Sequence, residues 1–181
     1  MFPVYLYNNK GIVFGGSYYS VPNSDASFDE YICLEDSLSL EVNEIGFHKQ
    51  HNWAIPDFGI PDVDVTVDRL KRFFREVYEG DFFKVYVGCT GGIGRTGTIL
   101  AIMLEISRRL EEPNDIFTRA WSWLMRRIGR GPSDVDPVEE LRKVYKSPNG
   151  DRPIETNAQE EFVRNFPYDD VVNYVRKQVS I

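Results

Sequence analysis

Phe82 to Val87 is a short run of aromatic and β-branched residues that feeds directly into a turn with five glycines among the ten residues Gly88 to Gly97. Apolar residues at helical spacing follow from Thr98 to Leu110. A buried strand, a glycine-rich turn and a helix in immediate succession leave few options for the fold. The strand belongs in a sheet, and the helix must pack back against it. Glycines let successive backbone N–H groups of the turn converge on one point, and the helix that follows adds its positive end. The junction is therefore expected to cradle an anion.

The rest of the chain supports one sheet packed by helices, an α/β or α+β domain. Residues 3–7 and 12–15 read as strands around the turn-forming Asn8-Asn9-Lys10-Gly11, and Tyr31 to Leu34 is a further strand candidate. Val67, Leu70, Phe73, Phe74 and Val77 follow helical spacing, which Gly80-Asp81 breaks. Later helices are expected at about 116–128, 137–146, 157–165 and 169–179, the first with Asn114 as N-cap and Gly129 at its end. In the third of these, Thr156 three residues before Gln159 fits a capping box.

At 181 residues the chain fits a single domain, 1–181, with its core over about 30–165 and a short C-terminal helix over about 168–180. Its net charge of −7 is the wrong sign for a typical nucleic-acid binder. The charge is segregated. Ser20 to Asp68 holds eleven acids and a single base, Lys49, whereas Ile116 to Gly131 holds four arginines and no acid. Two cysteines make no disulfide scaffold and point to a reducing compartment. The longest apolar stretch, Ile99 to Leu104, is too short to span a membrane, and the N-terminus lacks the pattern of a signal peptide. A cytoplasmic location is expected.

Three motifs compete for the turn. Gly92 to Gly97 spells GxGxxG, but the second strand and ribose-binding acid of a dinucleotide site do not follow; Glu111-Glu112-Pro113 and another helix do. The nucleotide P-loop fails because Cys89 stands where its first glycine belongs and Arg95 where its lysine does. The third reading uses Cys89 and Arg95, with five residues between them and Thr96 directly after. N–H dipoles and Arg95 favour a thiolate at Cys89, and they hold the oxygens of a phosphate above it for in-line attack.

CTGGIGRTG resembles the Cys-x5-Arg-[Ser/Thr] signature loop of the cysteine-based protein tyrosine phosphatase superfamily, in its dual-specificity phosphatase-like form. The resemblance implies a central, mostly parallel sheet flanked by helices, with the loop between a central strand and a helix. It implies Cys89 as nucleophile, Arg95 and the backbone amides of Thr90, Gly91, Gly92, Ile93, Gly94 and Arg95 as phosphate ligands, and Thr96 as stabiliser of the departing thiolate. Trp53 to Pro61 (WAIPDFGIP) resembles the family's general-acid loop, with Ile55 where tryptophan is usual. Asp57 then becomes the acid, while Asp62 and Asp64 start the next helix. Glu155-Thr156-Asn157-Ala158-Gln159 is similar to the family's glutamine loop, and Gln159 matches the residue that orients water. Arg126-Arg127-Ile128-Gly129-Arg130 resembles the arginine segment of dual-specificity members.

The family usually places histidine before the cysteine, where it orders the loop; here the residue is Gly88. His48, His51, Cys33 and Cys89 do not have the spacing of a zinc site, so no metal or other cofactor is expected. Cys33 reads as a core residue, with a disulfide to Cys89 under oxidation as its alternative, and Trp121, Trp123 and Leu124 read as helix packing. Members acting on inositides carry lysines inside the loop, and Thr90 to Gly94 has none. The expected substrate is phosphoprotein, phosphotyrosine with phosphoserine or phosphothreonine, and the site is expected to accept phosphate or sulfate. An RNA 5′-phosphatase and a non-catalytic phosphate-binding module are the alternatives. Membrane partners are not expected.

Overall fold

The computed structural model describes residues 2–5, 10–17, 19, 28–36, 49–80, 83–111, 135–146 and 150–179. Its strands are β1 (Phe2–Tyr5), β2 (Gly11–Ser17), β3 (Glu30–Cys33), β4 (Lys49–Asn52) and β5 (Phe83–Cys89). Its helices are α1 (Val63–Glu79), α2 (Gly94–Glu111), α3 (Pro137–Val144), α4 (Asn157–Arg164) and α5 (Tyr168–Val179). The strands form one sheet in the order β1-β2-β5-β3-β4. Only β1 runs antiparallel to its neighbour; β2, β5, β3 and β4 are mutually parallel. This is the α/β architecture with a mostly parallel sheet that the signature loop implied.

β5 lies at the centre, as its apolar character requires. Val85 and Val87 join Val13, Ile32 and Leu34 in the core shared with the helices. The alternate residues face the other way, in keeping with the period of two along a strand. There Tyr86 meets Phe28 edge-on and Tyr31 at a tilt, and Phe28 in turn meets Phe14. α1 packs against α5, and α2 packs against α3, α4 and α5 as well as β5 and β2.

Several element boundaries differ from the sequence reading, and one strand is additional to it. α1 begins at Val63, where the Asp62 side chain accepts the amide of Val65 at 2.9 Å, so Asp62 does start this helix. α2 begins at Gly94, a full turn before its apolar periodicity, because tertiary contacts hold residues that helix propensity alone disfavours. β4 was not anticipated: Lys-Gln-His-Asn is polar and half-exposed, and it forms a strand only because β3 offers it backbone partners. The expected helix at 116–128, with Trp121, Trp123, Leu124, Arg126, Arg127 and Arg130, lies outside the described residues, as does His48.

The parallel arrangement positions the site. β2, β3, β4 and β5 all end at the same edge of the sheet, with Ser17 opposite Cys89 and Cys33 opposite Gly88. The chain leaving each strand therefore emerges where the glycine-rich loop leaves β5, which is where ligands of open parallel sheets bind. Among the described residues no helix is long and apolar enough to cross a membrane. Leu100 on α2 is fully buried, and Leu100→Ala should lower stability by about 2–5 kcal/mol in urea unfolding. A loss well below that would mean α2 is not central to the core.

Candidate active site

Cys89 is the last residue of β5 and α2 starts at Gly94, so the loop between them is only four residues long. The first intrahelical bond of α2 runs from the Gly97 amide to the Ile93 carbonyl at 2.9 Å. The amides before Gly97 have no intrahelical acceptor, and they carry the positive end of the helix. The Cys89 Sγ accepts from the Gly92 amide at 3.2 Å and from the Thr96 hydroxyl at 3.1 Å, while Thr96 Oγ1 accepts the Cys89 amide at 3.0 Å. Two donors converging on sulfur suit a thiolate, which can only accept.

The loop takes this path because its carbonyls are tied behind it. Ser17 Oγ donates to the Thr90 carbonyl at 2.5 Å, and the fully buried Tyr145 hydroxyl donates to the Gly92 carbonyl at 2.6 Å. The Tyr86 hydroxyl donates to the Ser17 carbonyl at 2.9 Å, extending the support by one shell. Burial pushes the Tyr145 phenol well up, with Tyr86 and Cys89 adding to it, so it stays a donor. Gly92 sits at φ +68°, and a Cβ there would collide with the backbone of Gly16 and Ser17. With those carbonyls turned back, amides of the loop are free to face the cleft.

Arg95 is buried, and its guanidinium is braced from two sides. It makes a bidentate pair with Glu35, NH1 to Oε2 at 3.0 Å and NH2 to Oε1 at 2.7 Å, and NH1 also donates to the Ile55 carbonyl at 3.2 Å. Glu35 Oε1 further accepts the Thr90 amide and hydroxyl. Burial raises the Glu35 carboxyl, but the Thr90 bonds and Arg95 outweigh it and hold it below the usual carboxylate range. The Asp57 carboxylate, largely exposed, reaches Arg95 NH2 at 3.1 Å and accepts the Phe58 amide at 3.2 Å. Cys89, Arg95, Asp57 and Glu155 line one cleft of about 280 Å³.

The structure thus brings Cys89, Thr96, Arg95 and Asp57 together. Gly91 and Ile93 line the cleft, whereas the Thr90 amide is committed to Glu35 rather than to the cleft. Gln159 is fully buried beside Gly94. Its Oε1 accepts the amides of Glu155 at 3.0 Å and Thr156 at 3.3 Å, and its Nε2 donates to the Gly59 carbonyl of the acid loop at 3.1 Å. The expected capping box of Thr156 and Gln159 is present. Glu155 projects over Gly94, where a Cβ would strike its carboxylate. His51 is elsewhere, paired with Glu30 at 2.8 Å, and Cys33 is buried in β3.

Glu35, Ser17 and Tyr145 belong to the site and were not singled out from the sequence, whereas Glu155 was read there as the first residue of the glutamine-loop segment. Glu35 counted there only as one of eleven acids. The space that a side chain at position 88 would take is filled: a Cβ on Gly88 would lie 3.0 Å from the Tyr86 ring and 3.2 Å from the Tyr31 hydroxyl. Gly88→His should therefore destabilise by about 1–3 kcal/mol in thermal or urea unfolding. For Glu35, the lowered folded value adds stability above about pH 4.3, its unfolded range, and loses it as pH falls through the lowered value. The melting temperature of Glu35→Gln should decline less steeply on acidification through that window than that of the wild type. Parallel declines would show that the carboxylate's charge is not held by the fold.

Residues 28–107 match the protein family described as "polymorphic toxin system, DSP-PTPase phosphatase". Two uncharacterised proteins of Methanocaldococcus jannaschii are 33% and 31% identical over 116 and 115 residues, 62% of this chain in both cases. These matches cover 55% and 51% of those proteins, so the chain spans about half the length of the curated relatives it matches. Tk-PTP in its active form is similar in structure, with 24% identity, a TM-score of 0.50, and coverage of 93% of this chain and 90% of that one. The core catalytic domain of the PP-IP phosphatase SIW14 from S. cerevisiae, in complex with citrate, has 12% identity and a TM-score of 0.56, covering 98% and 92%. Kinase associated phosphatase, with its catalytic cysteine substituted by serine, has 12% identity and a TM-score of 0.51, covering 98% and 95%. The chain shares its fold with these phosphatases, and its residues 28–107 are similar to the DSP-PTPase phosphatase family.

Proposed function

We propose that the protein is a phosphoprotein phosphatase that hydrolyses phosphotyrosine, and also phosphoserine or phosphothreonine, through a phosphocysteine. The observation that carries this reading is the convergence of the Cys89 sulfur, the braced Arg95 and the Asp57 carboxylate on one cleft. In the first half, the Cys89 thiolate bonds to phosphorus as the ester P–O bond breaks, and protonated Asp57 gives its proton to the leaving oxygen. A phosphoryl dianion on Arg95 displaces Asp57 from that cation and leaves its carboxyl facing the leaving oxygen. Loop amides and Arg95 stabilise the equatorial oxygens.

In the second half, water attacks phosphorus, its proton passes to Asp57, and the S–P bond breaks. Thr96 Oγ1, at 3.1 Å from the sulfur, stabilises the thiolate that leaves. Gln159, whose Nε2 donates to the Gly59 carbonyl two residues from Asp57, orients that water once its Nε2 exchanges Gly59 for the water oxygen. Among the described residues Arg95 is the lone cation that lines the cleft, against Glu35, Asp57 and Glu155. That balance favours a monoester of low charge over a polyanion such as triphosphorylated RNA. Phe58, exposed at the rim, offers a ring face to an aromatic substrate. A thiolate nucleophile needs reducing surroundings, so we place the protein in the cytoplasm.

Hydrolysis of an aryl phosphate in the presence of EDTA tests the reading. Wild type should turn over; Cys89→Ser and Arg95→Ala should not, and Asp57→Ala should lose about 100-fold or more in kcat. Wild type no faster than Cys89→Ser would leave a non-catalytic phosphate-binding module, the alternative that Gly88 in place of histidine keeps in play. A phosphopeptide panel set against 5′-triphosphorylated RNA decides the substrate class, and preference for the RNA would overturn the protein assignment.

A further inference from the structure

Ile154 lies at φ +65°, the only β-branched residue among those described with a left-handed backbone. For such a side chain this conformation is uphill, and it persists only where the surroundings over-determine it. Ile154 is buried and immediately precedes Glu155, which lines the cleft. On one side, the Ile154 amide and the Pro153 ring lie 2.9 and 3.1 Å from where a Cβ on Gly97 would be, so the segment rests on the first turn of α2. On the other side stands Arg142 of α3, half-buried as a residue with its side chain 8% exposed. Its Nε donates to the Pro153 carbonyl and one terminal nitrogen to the Ile154 carbonyl, both at 3.3 Å. The same guanidinium pairs with Glu160 at 2.5 Å and Glu139 at 2.7 Å.

We propose that Arg142 is a positioning residue: it holds Ile154 in the left-handed conformation and so places Glu155 and Gln159 for the water-consuming half of the reaction. The proposal rests on the phosphatase reading above and extends it to a residue that never meets the phosphate. A planar fork matches two successive carbonyls turned the same way, and relaxing Ile154 to negative φ would turn one of them away. The peptide entering Glu155 would then rotate, and the Glu155 amide would leave Gln159 Oε1, which it now meets at 3.0 Å. Attack on phosphorus by Cys89, with Arg95 and Asp57, draws no reacting group from 153–159, although Gln159 Nε2 meets the acid loop at the Gly59 carbonyl. Hydrolysis does: the water oxygen bonds to phosphorus, its proton goes to Asp57, and Cys89 departs as thiolate.

Arg142→Met keeps the stem of the side chain, and neither carboxylate is stranded, since Glu139 retains Arg152 at 3.1 Å and Glu160 retains Arg164 at 2.9 Å. In rapid mixing with an aryl phosphate, kcat should fall by up to about 100-fold. The value of kcat/KM, which reports only the steps through phosphocysteine formation, should stay near that of wild type, and a burst of leaving group should emerge. Adding Ile154→Gly should recover much of the lost turnover, because glycine adopts positive φ without penalty. A merely structural role predicts the opposite, since glycine loosens the chain further. Unchanged kcat in Arg142→Met, a matching fall in kcat/KM without a burst, or failure of glycine to rescue each overturns the proposal. Should Arg142→Met not fold, Arg142→Lys, with a single ammonium for two carbonyls, is expected to show a smaller loss with the same burst; wild-type turnover there overturns it. A wild type that turns over no phosphoester sinks the phosphatase reading instead. The placement is then read from the Ile154 Cα and Cβ chemical shifts, which should leave left-handed values in Arg142→Met; unchanged shifts refute it.

Discussion

The buried pair between Glu35 and Arg95 is the contact on which the site depends. An arginine that is to clamp a phosphate must wait in place with its charge desolvated, and an unpaired guanidinium would not tolerate that burial. Glu35 satisfies two of its edges at 2.7 and 3.0 Å. The same carboxylate takes the amide and hydroxyl of Thr90, so one side chain fixes both ends of the signature loop. Asp57 joins on the solvent side at 3.1 Å, leaving a third edge that an incoming phosphoryl group can take over. Buried ion pairs contribute little net stability in general; this one contributes geometry.

Around that pair the site is built by restraining what must not point inward. Ser17 and Tyr145 hold back the Thr90 and Gly92 carbonyls from two different elements. Tyr86 and Tyr31 occupy the space beside Gly88 where the family's histidine would stand. Loop order is thus supplied by hydroxyl groups behind the strand instead of by an imidazole. Gln159 links the acid loop to the 155–156 turn, so the two segments that flank the signature loop are not independent of one another.

What was legible in the sequence was what lies close together along it. Cys89, the glycines, Arg95 and Thr96 fall within a single turn of chain, and the residue types alone restrict the chemistry. Asp57 was marked by the prolines and glycine around it. Glu35 was not legible, because it stands 60 residues from Arg95 and meets it only through the pairing of Cys33 with Gly88. No local pattern records which strands become neighbours. Tyr145 and Arg142 were hidden for the same reason: their partners are carbonyl oxygens, which every residue has. β4 escaped notice because strand periodicity is a signal of burial, and a polar edge strand has little to bury.

That polar edge has a consequence for how the protein behaves in a crowded solution. A sheet that ends on a row of unpaired backbone groups invites another chain to add a strand, which is the first step of aggregation. Among the described residues β4 closes its side of the sheet with only four residues, Lys49-Gln50-His51-Asn52, and presents no apolar stripe along them. Lys49 is half-exposed at its start, held by Glu30 and Glu76. A second copy docking on this edge would have to strip water from a charged side chain and gain almost no apolar contact. The residues that made β4 hard to see in the sequence are the ones that keep the sheet from growing.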